Sequence, residues 1–137
     1  MKYTGSTQFH ISALAIGIGA VTSASAPAVI TMVRNPTTGT VISDATAIAM
    51  NQNRNFGSSE SLTADVYSGG EGKTFTDGTD IAQFYASGNS RLFTEIDFIL
   101  TKGSSIGIEV DPNQGSGNVT VYVALIGHEE EIRTEIN

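Results

Sequence analysis

Between Leu92 and Leu100 the chain alternates in a way that dictates an extended backbone: Leu92, Ile96, Phe98 and Leu100 share one parity, while Glu95 and Asp97 take the other. Successive side chains of a strand point to opposite faces, so this spacing predicts a β-strand with one buried and one solvated face. Composition carries the argument to the rest of the chain. Only 15% of the residues are charged, and polarity comes instead from 14 Ser, 16 Thr and 15 Gly. Helices normally show Glu, Lys and Arg on their exposed faces, so this balance favours strands and turns with little helix.

The other strands follow from the same reading. Phe9 to Ile18 is almost continuously apolar, with Ala13, Ala15 and Gly17 alternating beside Leu14, Ile16 and Ile18. A strand covered on both faces reads this way. Ala28 to Asn35 is β-branched and stops at Asn35-Pro36-Thr37-Thr38-Gly39, after which Thr40 to Ser43 predicts the return strand of a hairpin, and Ala45 to Met50 predicts another strand. Leu62 to Tyr67 alternates and breaks at Gly69 to Gly72 before Lys73 to Thr76, a second hairpin pattern. Ile81 to Ala86, Ile106 to Val110 and a last strand through Val119, Val121, Val123 and Leu125 complete the set. Eight or nine strands at such intervals, with long loops between some, predict an all-β, antiparallel β-sandwich with jelly-roll-like crossings. Residues 1–137 form one domain, with 1–8 as an N-terminal arm and 129–137 as an acidic C-terminal tail. The predicted core holds Leu92, Ile96, Phe98, Leu100, Ile106, Ile108, Val121, Val123 and Leu125.

At 137 residues the chain can bury roughly two thirds of its unfolded surface, and no metal or disulfide is needed to fold it. The absence of Cys removes disulfide frameworks, thiolate metal sites and cysteine nucleophiles together. Seven Lys and Arg against 14 Asp and Glu give a net charge of −7, and the basic residues are scattered, so nucleic acid and anionic lipid are not expected partners. Ile11 to Val21 followed by Ser23-Ala24-Ser25-Ala26 imitates a secretory signal and its cleavage site. Gly17 and Gly19 interrupt the run and the leading segment is polar rather than basic, so ordinary structure is expected. The run also falls short of the about 20 apolar residues that cross a bilayer.

Little in the chain resembles catalytic machinery. Gly72-Lys73-Thr74 echoes the end of a phosphate-binding loop, but Tyr67 stands where that loop needs Gly; Gly17-x-Gly19 lacks its third Gly because position 22 is Thr. The only histidines, His10 and His128, lie on the first and last predicted strands, which are often neighbours in a sandwich. A shared metal or a catalytic pair is the sharper reading of them. The plainer one, a His at a strand end and another beside an acidic tail, is favoured because no supporting spacing accompanies them. Asp77 and Asp80, or Asp111 and Asn113, offer the oxygen ligands of a Ca²⁺ loop without its spacing, and turn formation accounts for them equally well. Asn118-Val119-Thr120 is a formal glycosylation sequon that reads as a loop-to-strand junction. No catalytic residue, cofactor or metal is therefore expected, and the chain reads as non-enzymatic.

Three stretches carry a resemblance: Asn35 to Thr40 entering Met50 to Asn55, Leu62 to Gly69, and Phe98 to Ile108 running on to Val121 to Gly127. In that order they resemble a loose family of bacteriophage virion proteins with a jelly-roll fold, which includes capsid decoration (cement) proteins, head-fibre bases and tail components. The resemblance covers Ala28 to Glu130 and implies a homotrimer on the phage head surface that contacts the major capsid protein or another virion protein. It transfers no catalytic residue. A head-fibre or tail role is the nearest alternative, and a carbohydrate-binding sandwich module another, weakened by the lack of Trp. A hydrolase on a double-stranded β-helix would show a His-rich metal set that is absent. Because a two-layer sandwich covers only one face of each sheet, the doubly apolar first strand predicts an oligomer interface at Phe9, Ile11, Ala13, Ala15, Ile16 and Ile18.

Overall fold

The structure is a computed structural model that describes residues 1–21, 26–36, 46–47, 64–68, 75, 77–115 and 117–131. These form ten strands and no helix: β1 Lys2–Tyr3, β2 Gln8–Ile18, β3 Ala28–Arg34, β4 Thr46–Ala47, β5 Ala64–Asp65, β6 Tyr67–Ser68, β7 Thr79–Ala86, β8 Ser90–Leu100, β9 Ile106–Asp111 and β10 Val121–Glu130. Among the described residues, no helix is long and apolar enough to cross a membrane. Six strands are long enough to build layers, and they form two antiparallel three-stranded sheets ordered β10-β2-β8 and β7-β3-β9. The links from β2 to β3, β7 to β8, β8 to β9 and β9 to β10 each pass from one sheet to the other. This is the small antiparallel β-sandwich that the alternation predicts.

Asparagines mark the strand ends. Asn35, Asn89 and Asn113 hold φ at 50, 54 and 52°, a left-handed backbone that Asn tolerates better than most residues because its short amide bonds locally. Asn35 closes β3 by donating its backbone N–H to the Ser105 carbonyl (2.8 Å) and accepting from the Ser105 N–H (3.0 Å). Gly88-Asn89 turns the chain from β7 into β8, and because these strands lie in different sheets it forms a corner rather than a hairpin. The predicted strand from Leu62 to Tyr67 is divided: β5 pairs with β1, and β6 with β4. Thr40–Ser43, Gly69–Gly72 and Lys73–Thr74 lie outside the described residues.

The core sits between the two sheets. Ile11, Leu14, Ile16 and Ile18 of β2 meet Ile30 and Met32 of β3, with Leu100 and Ile106 closing one end. At about 1.5–3 kcal/mol for each large apolar side chain taken from water, this layer is the main favourable term of the fold. A bulge explains why β2 reads as continuously apolar. Its pairing shifts at Ser12 against both neighbours, so Phe9 and Ile11 face inward before the break and Leu14, Ile16 and Ile18 after it.

Of the predicted core, Leu100 and Ile106 are fully buried, and Leu92, Ile96, Phe98, Ile108, Val121 and Leu125 pack half-buried against the cluster. Val123 departs from the expectation: it is 38% exposed, because β10 is the edge of its sheet among the described residues. Residues 1–8, expected as an arm, begin with a segment bound into the sandwich. Tyr3 donates its N–H to the Ser104 carbonyl (3.0 Å), Gly103 donates to the Tyr3 carbonyl (2.8 Å), and Met1 and Ile106 exchange two bonds of 2.9 Å. The Tyr3 ring is fully buried and stacks on Phe9 at a centroid distance of 6.1 Å.

Candidate functional site

While Tyr85 is exposed on the other sheet, Phe93, Ile99 and Tyr122, three of the large apolar side chains left exposed, lie on the outer face of the β10-β2-β8 sheet together with the two histidines. Register sets them in rows across the three strands: Tyr122, Gly17 and Arg91; then Ala124, Ala15 and Phe93; then Ile126, Ala13 and Glu95; and, past the bulge, His128, His10 and Ile99. The central strand contributes small side chains and its neighbours large ones. The result is a furrow floored by Ala13, Ala15 and Gly17 and walled by Tyr122 on one side and Phe93 on the other. Tyr122 is 69%, Phe93 63% and Ile99 51% exposed, an arrangement that leaves apolar rings in water.

The sandwich divides the six predicted interface residues. Phe9, Ile11, Ile16 and Ile18 turn inward and are covered by the chain's own core, which occupies the surface they were expected to offer to a neighbour. Ala13 and Ala15 lie on the outer face, where Ala13 is already buried by its neighbours and Ala15 is half-buried. Phe93, Tyr122 and Ile99 were not singled out from sequence. Each holds the outward parity of its strand, and an aromatic opposite Ala or Gly is a signal that cross-strand register makes readable.

At one end of this face the two histidines meet. His10 and His128 are direct register partners, and their rings stack at a centroid distance of 5.2 Å and 16° between planes. Glu130 follows His128 by two residues, so the strand period returns it to the same face. Its carboxylate spans both imidazoles: His128 Nε2 lies 2.9 Å from Oε1 and His10 Nε2 lies 3.2 Å from Oε2. The His10 nitrogen is shut off from solvent and makes no well-angled hydrogen bond. The two ends of the cluster differ in freedom, since the His10 side chain is only 21% exposed against 57% for His128 and 54% for Glu130. Close strand approach fixes the pair, for a Cβ at Gly127 would collide with the His10 carbonyl and the Phe9 ring.

The acidic segment expected as a tail is partly strand, since β10 runs to Glu130. Alternation gives its first two acids different tasks. Glu129, though exposed at the sheet end, holds the inward parity and accepts a hydrogen bond from the Tyr3 hydroxyl at 2.9 Å, while Glu130 joins the histidines outside. Burial first, and then the Glu129 charge, push the Tyr3 phenol above its ordinary pKa.

The two pairs of possible Ca²⁺ ligands lie apart from each other. Asp80 is in register with Val33 and Asp111 with Val29, about 13 Å apart along β3. Asp111 instead accepts the Asn113 N–H at 2.8 Å and shapes a turn. Gly17 and Gly19 lie at the end of β2 and just past it, where Gly19 donates to the Thr120 carbonyl at 2.8 Å. Asn118 and Thr120 lie just before β10 begins, at the loop-to-strand junction. Gly72-Lys73-Thr74 lies outside the described residues.

Comparison with protein-family models, curated proteins and solved structures finds no match to this chain.

Proposed function

We propose that the protein is a non-enzymatic structural component that assembles with copies of itself through the outer face of the β10-β2-β8 sheet and stabilises a larger particle by bridging its subunits. The observation that carries this reading is the pair of exposed rings, Phe93 and Tyr122, standing on either side of the Ala13, Ala15 and Gly17 furrow. Exposed aromatics around a backbone that a partner can approach closely are what a protein interface uses to exclude water. The setting we propose is a phage virion, with the chain as a capsid decoration protein and a head-fibre or tail component as the nearest variant. That setting and the number three rest on the sequence resemblance of the stretches named above.

Light scattering at micromolar concentration tests the assembly. We expect a trimer of the 14.3 kDa chain that falls to monomer in Phe93→Lys/Tyr122→Lys, with the strand content unchanged. A wild-type mass of 14.3 kDa would overturn it.

A further inference from the structure

We propose that His10, His128 and Glu130 form a binding site for a divalent transition cation of the zinc class, held across the first and last long strands of the sandwich. The site lies at one end of the face proposed for assembly, and all three of its side chains come from one chain. All three side chains present ligand atoms, and these lie within 4.8 Å of one another. A tetrahedral Zn²⁺ with bonds of 2.0–2.2 Å places its ligand atoms about 3.3 Å apart. The imidazole-to-carboxylate spacings, 3.2 Å to Oε2 and 2.9 Å to Oε1, are close to that edge length but end on different oxygens, so Glu130 must turn to offer one oxygen beside both nitrogens.

Two imidazole nitrogens and one carboxylate favour zinc, cobalt, nickel or copper over calcium or magnesium, which prefer oxygen. The geometry supplies one fixed ligand and two that can adjust. His10 is held by the strand pairing on both sides, and its Nε2 is shut off from solvent with the Glu130 carboxylate at 3.2 Å but no well-angled hydrogen bond, so a cation would give this nitrogen a directed bond. His128 and Glu130 are half exposed and can close onto the ion by rotation about their side-chain bonds. Three protein ligands leave a fourth position for water. The alternative role for these residues is a carboxylate bridge between two imidazoles that tightens the β2 and β10 pairing. It needs no metal and makes a different prediction.

The test is titration of Co²⁺, and then Zn²⁺, into the untagged full chain, followed by calorimetry and by the visible absorption of bound Co²⁺. We expect one ion per chain, Co²⁺ bands that Zn²⁺ displaces, and no comparable binding of Ca²⁺. Loss of an outer-shell partner alone costs about 10–100-fold in metal affinity, so His128→Ala and Glu130→Gln should each weaken binding more than about 10-fold. Both positions are exposed, so the circular dichroism spectrum should stay the same, and the test does not rely on His10→Ala folding. No stoichiometric binding to the wild-type chain, or equal binding in His128→Ala, would overturn the site.

Discussion

The two sheets bury similar inner faces and expose very different outer ones. Outside the β7-β3-β9 sheet the register rows are mixed: Gln83, Thr31 and Glu109 lie side by side, with the Gln83 amide donating to the Thr31 hydroxyl at 3.3 Å, and the next row is Tyr85, Val29 and Asp111, in which the Tyr85 ring is 64% exposed. The chain also covers part of that face itself. Phe75 lays its ring over Gly107 while its N–H donates to Glu109 at 3.3 Å, and Val33 is left only 3% exposed. The outer face of the β10-β2-β8 sheet has small residues at the centre, bare rings beside them and the histidine cluster at one end. An antiparallel sheet tolerates water on one face when that face is polar. The β7-β3-β9 sheet comes nearer to that condition, with Tyr85 as its one large exposed apolar side chain among the described residues, whereas the β10-β2-β8 sheet bares Phe93, Tyr122 and Ile99, which is why we propose the partner surface on the β10-β2-β8 sheet.

The sharpest way to break this comparison is to ask whether the inner faces dominate stability. Leu14→Ala and Ile30→Ala, one in each sheet and both fully buried, should each cost about 2–5 kcal/mol in denaturant unfolding, against about 0.5 kcal/mol or less for Glu95→Ala. A comparable loss at Glu95 would mean that the faces of β8 are assigned the wrong way round.

A smaller effect separates the outer faces directly. A methyl at Gly107 would run into the Phe75 ring, whereas at Gly17 it would meet Tyr122 at an ordinary 3.7 Å. Gly107→Ala should therefore cost about 1–3 kcal/mol by overpacking, and Gly17→Ala should leave the fold intact while raising the floor of the furrow. Equal costs by thermal unfolding would show that both faces are covered alike.

The smallest effect is a pH signature from Tyr3, which is buried and stacked on Phe9. Its phenol pKa is raised in the folded chain, so the folded state holds its proton more tightly than the unfolded one above about pH 10. The stability this contributes is present in full below that pH and is lost as pH rises through the folded value. Tyr3→Phe should be less stable at neutral pH and show a shallower alkaline decline, as read from denaturation midpoints between pH 8 and 11. An identical slope in both proteins would place the Tyr3 hydroxyl in solvent.

The long strands were legible because alternation is a local property. Leu92 to Leu100 forms a strand with the predicted face inside, and Ala28 to Arg34 and the segment around Ile81 to Ala86 follow. The reading of Phe9 to Ile18 as covered on both faces was half right, since a bulge at Ser12 shifts parity and puts Ala13 and Leu14 both out of water. No local pattern announces such a shift, because it arises from pairing with β8 and β10 together. Val123 shows the same limit: its parity is inward, but its exposure depends on being at a sheet edge. Of the histidine cluster, the sequence held the residue types and the two-residue spacing of His128 and Glu130. His10 stands 118 positions away and joins them only through register.

Alternation, turn-forming Asn and Gly, low charge and the absence of Cys were enough to determine an all-β antiparallel sandwich with little helix. They act over a few residues at a time, through side-chain parity and backbone preference, and need no knowledge of what lies opposite. Which strands become neighbours was decided by tertiary structure alone. It set β2 between β8 and β10, paired Glu129 with Tyr3 and Glu130 with the histidines, and left Phe93 and Tyr122 in adjacent rows on either side of small residues. The physical reason is that register couples residues far apart in sequence through backbone hydrogen bonds. A shift of one residue in that pairing would turn every side chain of a strand to the opposite face.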